Sequence, residues 1–252
     1  MNGRSERNPI KRLHTEKPRR GVFDLEDLRP LGITAQTASY YAKTGWLVRI
    51  GHGVYAFPGE EPTLASMVAL LQDRIPGLRI GGKSALAMHG VRHTLGELPR
   101  VVLWGEAGHR LPRWFTERQP TRYVSRQLFD WPDADLAERT VGTPPGVTAG
   151  LRVSTPERAA LEMLYDVGTH EHYEDARDVF DGLRHLRQEV VGQLLSSCRS
   201  VKAVRLFLTW ARETGVVSVE DLRARHDLRV GSDRRWIQRL KDGTLLTLHP
   251  YG

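Results

Sequence analysis

Residues 32–57, GITAQTASYYAKTGWLVRIGHGVYAF, read as a helix followed by a short β-hairpin. Gly32 lacks a Cβ and suits the tight turn before the helix. Thr34 stands where a side-chain oxygen can cap the first free backbone N–H groups. Ala38, Tyr41 and Ala42 recur at helical spacing and give one apolar face, while Gln36, Ser39, Tyr40 and Lys43 fall on the opposite face. Gly45 then sits where a helix closes on a left-handed residue. Residues 46–50 and 54–57 have the composition of two strands, with Gly51-His52-Gly53 as the turn between them. Tyr41, Trp46 and Tyr55 are expected in the core, with Trp46 anchoring the hairpin on the helix.

Working outward, Gly21-Val22-Phe23 is a short extended entry and Asp24 caps LEDLR, with Leu25 and Leu28 facing inward. Pro30 ends that helix, because proline disfavours the helical conformation at the residue before it. Helix, turn, helix and hairpin follow in the order of a winged helix-turn-helix, whose second helix can enter a DNA major groove. The same order occurs in small domains that never meet DNA, where the polar face is ordinary solvated surface. Charge favours the nucleic-acid reading. The chain of 252 residues has a net charge of +7. Residues 1–58 hold ten Lys/Arg against five Asp/Glu, and the remainder 27 against 25. The cationic surplus therefore lies on the segment with the helix–hairpin pattern, as an electrostatic footprint for phosphate would.

The rest of the chain divides readily. Residues 1–20 carry Arg4, Arg7, Lys11, Arg12, Lys17, Arg19 and Arg20 and are expected to form a basic arm, with Pro9 starting a short helix. Such an arm can add salt-dependent, sequence-independent affinity. Residues 21–60 are the winged helix-turn-helix, and Glu60-Glu61-Pro62 marks the boundary. Residues 61–252 form a larger C-terminal domain: a sheet-containing part over 61–153 and a mainly helical part over 154–252. In the first part, Thr63 caps a helix ending at Pro76-Gly77, residues 83–90 form a short helix, and strands are expected at 78–80, 100–104, 121–125 and 147–153. In the second, helices are expected at 154–167, 171–183, 187–197, 200–212 and 219–225, and TLLTLH near the end reads as a strand. The fold class is α+β.

Composition and motif patterns exclude several chemistries. No apolar run approaches membrane-spanning length and the first twenty residues resemble no signal peptide, so a cytoplasmic protein is expected, with no membrane partner. The single Cys198 cannot form an intrachain disulfide or a cysteine-rich zinc site and reads as a small core residue. GLRIGGKS at 77–84 matches the phosphate-loop pattern GxxxxGKS, yet it follows an amphipathic helix and Pro76, and Leu78 and Ile80 want burial. His89 and His93, and His170 and His172 around Glu171, lack the convergent partners of a metal site, so no metal and no small-molecule cofactor are expected. No Glu-x-Lys follows an Asp as a restriction-type nuclease would require, and no GxSxG elbow exists, so no catalytic residues are assigned. RVGSDRRW at 229–236 fits either an anion-binding loop or a plain surface turn.

These motifs taken together resemble the AbiEi antitoxins of type IV toxin–antitoxin systems, in particular their proteobacterial branch. The matching segments are GWLVRIGHGVY at 45–55, IGGKSALAMHG at 80–90, LPRWF at 111–115, VSTPERAALEMLYDV at 153–167 and SVKAVRLFL at 200–208. They run in order from about Val22 to Arg235. The family's helix usually carries Leu where this chain has Ala38 and Tyr41. The resemblance implies an N-terminal winged helix that binds inverted repeats of double-stranded DNA in its own promoter and represses its operon. It also implies a C-terminal domain with antitoxin activity, and a nucleotidyltransferase-like toxin as the cognate partner. Neutralisation in this family is often indirect and need not involve a stable complex. On this reading Gln36, Ser39 and Tyr40 make groove contacts, since Gln pairs with adenine and Ser with several bases. Thr34, Thr37, Lys43, Arg49 and His52 make phosphate or wing contacts, which set position and affinity. The competing functions are a winged-helix nucleic-acid-processing enzyme and a module that binds the toxin directly.

Overall fold

Side-chain caps at Asp24, Thr34, Thr63, Ser200 and Ser218 fix the starts of five described helices. The computed structural model describes residues 9–16, 21–91, 100–131, 134–147, 150–239, 243 and 245–249. In chain order the described elements begin with α1 (Pro9–Glu16), β1 (Val22–Asp24), α2 (Leu25–Leu28), a 3-10 turn at Arg29–Leu31, α3 (Ala35–Lys43), β2 (Val48–Gly51), β3 (Val54–Ala56) and α4 (Leu64–Arg74). There follow β4 (Arg79–Ile80), α5 (Gly82–Met88), β5 (Val101–Trp104), α6 (Arg113–Thr116), β6 (Thr121–Val124), α7 (Ala134–Arg139), β7 (Val141–Gly142) and β8 (Val153–Ser154). Helices α8 (Pro156–Asp166), α9 (Tyr173–Asp181), α10 (Gln188–Ser197), α11 (Val201–Thr214) and α12 (Val219–Arg225) lead to the hairpin β9 (Trp236–Arg239) and β10 (Leu245–Leu248). The mixed α and β content agrees with the expected class. Two compact units emerge: Met1–Pro76 with His109–Pro120 and Val147–Leu151, and the remainder.

In the first unit β1, β3 and β2 form an antiparallel sheet in that order, with Phe23 opposite Tyr55 and Arg49 opposite Tyr55 on the other side. Asp24 caps α2 by accepting from Glu26 and Asp27 N–H, while Asp27 accepts from Asp24 N–H, a reciprocal capping box. Arg74 of α4 then donates to Asp24 at 2.7 Å and to Asp27 at 3.1 Å. Burial alone raises the Asp24 pKa, but Arg74 and the two backbone donors hold it below the ordinary carboxylate value. The core gathers Ile10, Leu13, Phe23, Leu28, Leu31, Ile33, Ala38, Leu47, Tyr55 and Phe57. Two expectations change here. Residues 9–16 are a packed helix rather than an arm: Leu13 is fully buried and His14 stacks on Phe57 with ring centroids 4.1 Å apart. Arg4, Arg7, Lys17, Arg19 and Arg20 lie outside the described residues. Helix α4, beyond the boundary expected at residue 60, packs on β1 within this unit, as α6 does on β2.

In the second unit a five-stranded mixed sheet runs β6-β5-β4-β8-β7, parallel at β5–β6 and β4–β8 and antiparallel elsewhere. Helix α8 packs against α5 and α11 and is buried on nearly every side, including Glu157, Arg158, Glu162 and Asp166. Each of these charges has a partner, as buried charge requires. Glu162 accepts from Arg79 at 2.7 Å, from Arg158 at 3.1 Å and from Gly82 N–H at 3.0 Å. Glu157 takes Arg187 at 2.9 Å, and Asp166 takes Arg122. Lys202 donates to Tyr165 and Val167 carbonyls at 2.7 Å each, closing the C-terminal end of α8. Cys198 is buried, which pushes its thiol pKa up to about 11. Of the strand expected over 147–153, Val153 is extended and continues into Ser154, Gly150 takes a left-handed φ of 102°, and residues 148–149 lie outside the described residues. The basic 229–235 segment folds around Arg205 of α11, which is 2% exposed. Its guanidinium donates to the carbonyls of Val230 and Arg234 at 2.8 Å, of Ser232, and of Leu248 at 3.5 Å.

Candidate nucleic-acid interface

Helix α3 begins after Gly32, whose φ of 78° makes the turn. Thr34 caps it: its hydroxyl accepts from Thr37 N–H at 3.2 Å and pairs with the Thr37 hydroxyl at 3.0 Å. Gly45 follows the last turn at φ 80°, and Trp46 N–H donates back to Tyr41 O at 2.9 Å, the closure that a left-handed C′ glycine permits. Ala38 is fully buried, and Tyr41 and Ala42 pack beside it. The opposite side presents Gln36, Tyr40 and Lys43 to solvent, with Thr37 and Ser39 half-buried.

The β2–β3 hairpin stands beside that face. Arg49 Nη2 donates to Ser39 Oγ at 3.1 Å and to the Tyr55 hydroxyl at 3.5 Å, and its guanidinium lies 5.7 Å from the Tyr55 ring centre. This bond ties β2 to α3, so Ser39, Lys43 and Arg49 share one surface. His52 is exposed in the turn between the strands, where Gly53 takes a left-handed φ of 70°. A Cβ on Gly51 would stand 2.3 Å from Trp114 Cβ, so only glycine lets the hairpin approach α6. Of the eight residues singled out in the sequence, the structure joins Thr34 with Thr37 and Ser39 with Arg49. Gln36, Tyr40, Lys43 and His52 are exposed around these pairs.

Trp46 departs from its expected place: it is 54% exposed, and Leu47 at 2% anchors the connection instead. The left-handed Gly45 resets the direction of the chain, so Leu47 turns inward and its neighbours Trp46 and Val48 turn out. Composition adds a signal that motif reading missed. Between Asp27 and Glu60 there is no Asp or Glu at all, while Arg29, Lys43 and Arg49 lie inside the run. A stretch of chain without carboxylates suits a polyanion, although Glu26 and Glu117 line the surface beside the hairpin turn at His52.

The other tempting motifs are occupied by the protein itself. In GLRIGGKS, Arg79–Ile80 is strand β4, Gly82 N–H donates to Glu162, and Lys83 Nζ lies 3.4 Å from Glu171. A Cβ on Gly81 would meet Glu162 Oε2 at 2.3 Å and Trp104 Cδ1 at 2.4 Å, so Gly81 serves close packing, while Gly82 takes a left-handed φ of 53°. The amide and lysine that would hold a phosphate are paired to carboxylates. His89 Nε2 pairs with Ser154 O at 3.1 Å, His170 and His172 are exposed, and His93 lies outside the described residues. Among the described residues no three His, Cys, Asp or Glu side chains converge as a metal site would need. No described helix is long and apolar enough to cross a membrane.

Comparison with known proteins bears on both parts of the chain. Residues 6–96 match a family model described as a transcriptional regulator, AbiEi antitoxin N-terminal domain. Residues 98–249 match one described as a transcriptional regulator, AbiEi antitoxin, of type IV toxin–antitoxin systems. No curated protein matches the sequence. Among solved structures the chain is similar to the crystal structure of the RV2827C protein from Mycobacterium tuberculosis, at 20% identity and a TM-score of 0.55. That alignment covers 90% of this chain and 86% of the other. At such identity the likeness concerns the fold alone.

Proposed function

The chain belongs to the AbiEi family of antitoxins and transcriptional regulators of type IV toxin–antitoxin systems, and from that premise we propose that it is a DNA-binding autorepressor that also counteracts a nucleotidyltransferase-like toxin. Elements α2 to β3 act as a winged helix-turn-helix, with α3 as the reading helix and the β2–β3 hairpin as the wing. Gln36, Ser39 and Tyr40 face base edges. Thr34, Thr37, Lys43, Arg49 and His52 meet the sugar–phosphate backbone. The observation that carries this reading is the exposed polar face of α3 tied to the hairpin through Arg49 and Ser39, inside a stretch with no carboxylate. The second unit carries the antitoxin activity, by binding or indirect antagonism rather than catalysis, in the cytoplasm. The DNA target is an inverted repeat upstream of the operon.

The test uses the full chain with two labelled duplexes of equal length, its own upstream region and a scrambled sequence, over a range of salt. Preferential binding of the upstream duplex, with a steep fall in affinity as salt rises, is expected. Equal binding of both duplexes at every salt, or binding of neither, sinks the repressor half. For the antitoxin half, co-expression with the product of an adjacent nucleotidyltransferase-type reading frame restores growth. Continued growth arrest contradicts it, and co-purification of the two proteins separates a direct complex from indirect neutralisation.

A further inference from the structure

A surface residue of large apolar area needs a reason when several cluster beside a charged face. Among the described residues the exposed large hydrophobics are Tyr40, Trp46, Val48, Ile237 and Leu245. Three of these five fall within nine residues of chain, at the end of α3 and the start of β2. Their exposure is 61% for Tyr40, 54% for Trp46 and 44% for Val48. The cause is local. Leu47 points into the core, so Trp46 and Val48 on either side of it point out. The Arg49–Ser39 bond then brings the start of β2 alongside the helix turn that carries Tyr40 and Lys43. All three side chains thus lie exposed in one stretch of chain that also carries Lys43 and Arg49 and holds no Asp or Glu.

We propose that Tyr40, Trp46 and Val48 form an apolar contact strip for duplex DNA, packing on deoxyribose faces and thymine methyl groups while Lys43 and Arg49 hold the neighbouring phosphates. This rests on the duplex-binding reading above and adds to it an uncharged source of affinity. Charge complementarity selects DNA over a second copy of the chain: the strip's immediate border is cationic, and two such borders brought face to face would repel. Aromatic residues and arginine are also the side chains that dominate binding energy at interfaces. The thymine methyl group is the apolar feature of the major groove, and contacts to it read sequence without hydrogen bonds.

An apolar contact releases no counterions, so its loss lowers affinity without altering the salt slope, unlike the loss of a phosphate contact. The experiment measures binding of full-length wild type, Trp46→Ala and Tyr40→Ala to the upstream and scrambled duplexes at several salt concentrations. It is repeated with deoxyuridine replacing thymidine, and sedimentation of each protein is recorded. Both side chains are more than half exposed, so truncation leaves the core intact. Affinity roughly tenfold weaker for each variant, with the wild-type salt slope, is expected. If the strip reads methyl groups, deoxyuridine weakens the wild type and hardly affects Trp46→Ala; if it packs on sugar, deoxyuridine changes neither. Either pattern supports the proposal. Unchanged affinity in both variants overturns it, as does a salt slope reduced by about one unit, which would mark a displaced phosphate contact. A dimer that dissociates in Trp46→Ala also overturns it, by assigning the strip to self-association. If wild type binds neither duplex at low salt, the duplex-binding reading itself fails, a result distinct from all of these.

Discussion

Arg49 shows how one side chain can belong to both structure and interface. Its guanidinium holds Ser39 and the Tyr55 hydroxyl, which leaves further N–H donors for a phosphate. Lysine at this position cannot bridge two oxygens in the same planar geometry. Replacing Arg49 by Ala is expected to weaken binding to the upstream and scrambled duplexes alike, and to reduce the salt slope by about 0.9. A titration that returned the wild-type slope would remove Arg49 from the phosphate set. Gln36 makes the contrasting case, exposed near the start of α3. Its replacement by Ala is expected to cost about 1–3 kcal/mol at one base pair of the operator and little on scrambled DNA. Competition with single-base operator variants measures this, and equal losses on both duplexes would contradict it.

At the scale of elements, the buried charges on α8 couple folding to pH. Burial raises the Glu157 pKa, but Arg187 and its backbone N–H overcome this and hold it at about 2, against 4.5 in an unperturbed carboxyl. The unfolded chain therefore binds a proton here first as pH falls. The stabilisation is complete above 4.5 and is lost as pH falls through about 2, a span worth about 3 kcal/mol. Urea unfolding of Glu157→Gln followed against pH is expected to show lower stability at neutrality and a flatter acid limb; an acid limb as steep as in wild type would deny the linkage. Apart from the i,i+4 pair Arg158–Glu162, this network was not legible in the sequence, because its members, such as Glu157 and Arg187 or Arg79 and Glu162, stand far apart in the chain. What was legible was local. Thr34, Gly45 and Thr63 act through hydrogen bonds a few residues away, so α3 and the start of α4 could be read from spacing. The start of helix α1 at Pro9 was legible, but its packing was not, because only Ile10 and Leu13 are apolar in it and tertiary contacts rather than pattern hold it. Strand β9 was hidden beside a basic run, and Trp46 was misplaced because a left-handed glycine changes which neighbour faces inward.

For the whole molecule, family matches cover both the N-terminal and the C-terminal part, while the compact units exchange short segments of chain: residues 109–120 and 147–151 return to the first unit. The positive charge is concentrated before residue 59 and the second unit is held by paired charges, so salt is expected to act on binding far more than on folding. The second unit also depends on Arg205, whose described partners are all carbonyl oxygens. Replacing it by Met leaves those acceptors without their donor. Loss of about 3 kcal/mol or more is expected, with faster proteolysis at residues 229–235. Cleavage and urea midpoints equal to wild type would show that the guanidinium holds nothing together. The same arrangement bears on synthesis. A nascent chain on the ribosome reaches α11 well before residues 230–248 leave the exit tunnel, and until they do that guanidinium has no acceptors to let it leave water. A chain cut short before residue 230 would therefore carry every segment of the first unit, while Arg205 in the second would lack all of its described carbonyl partners.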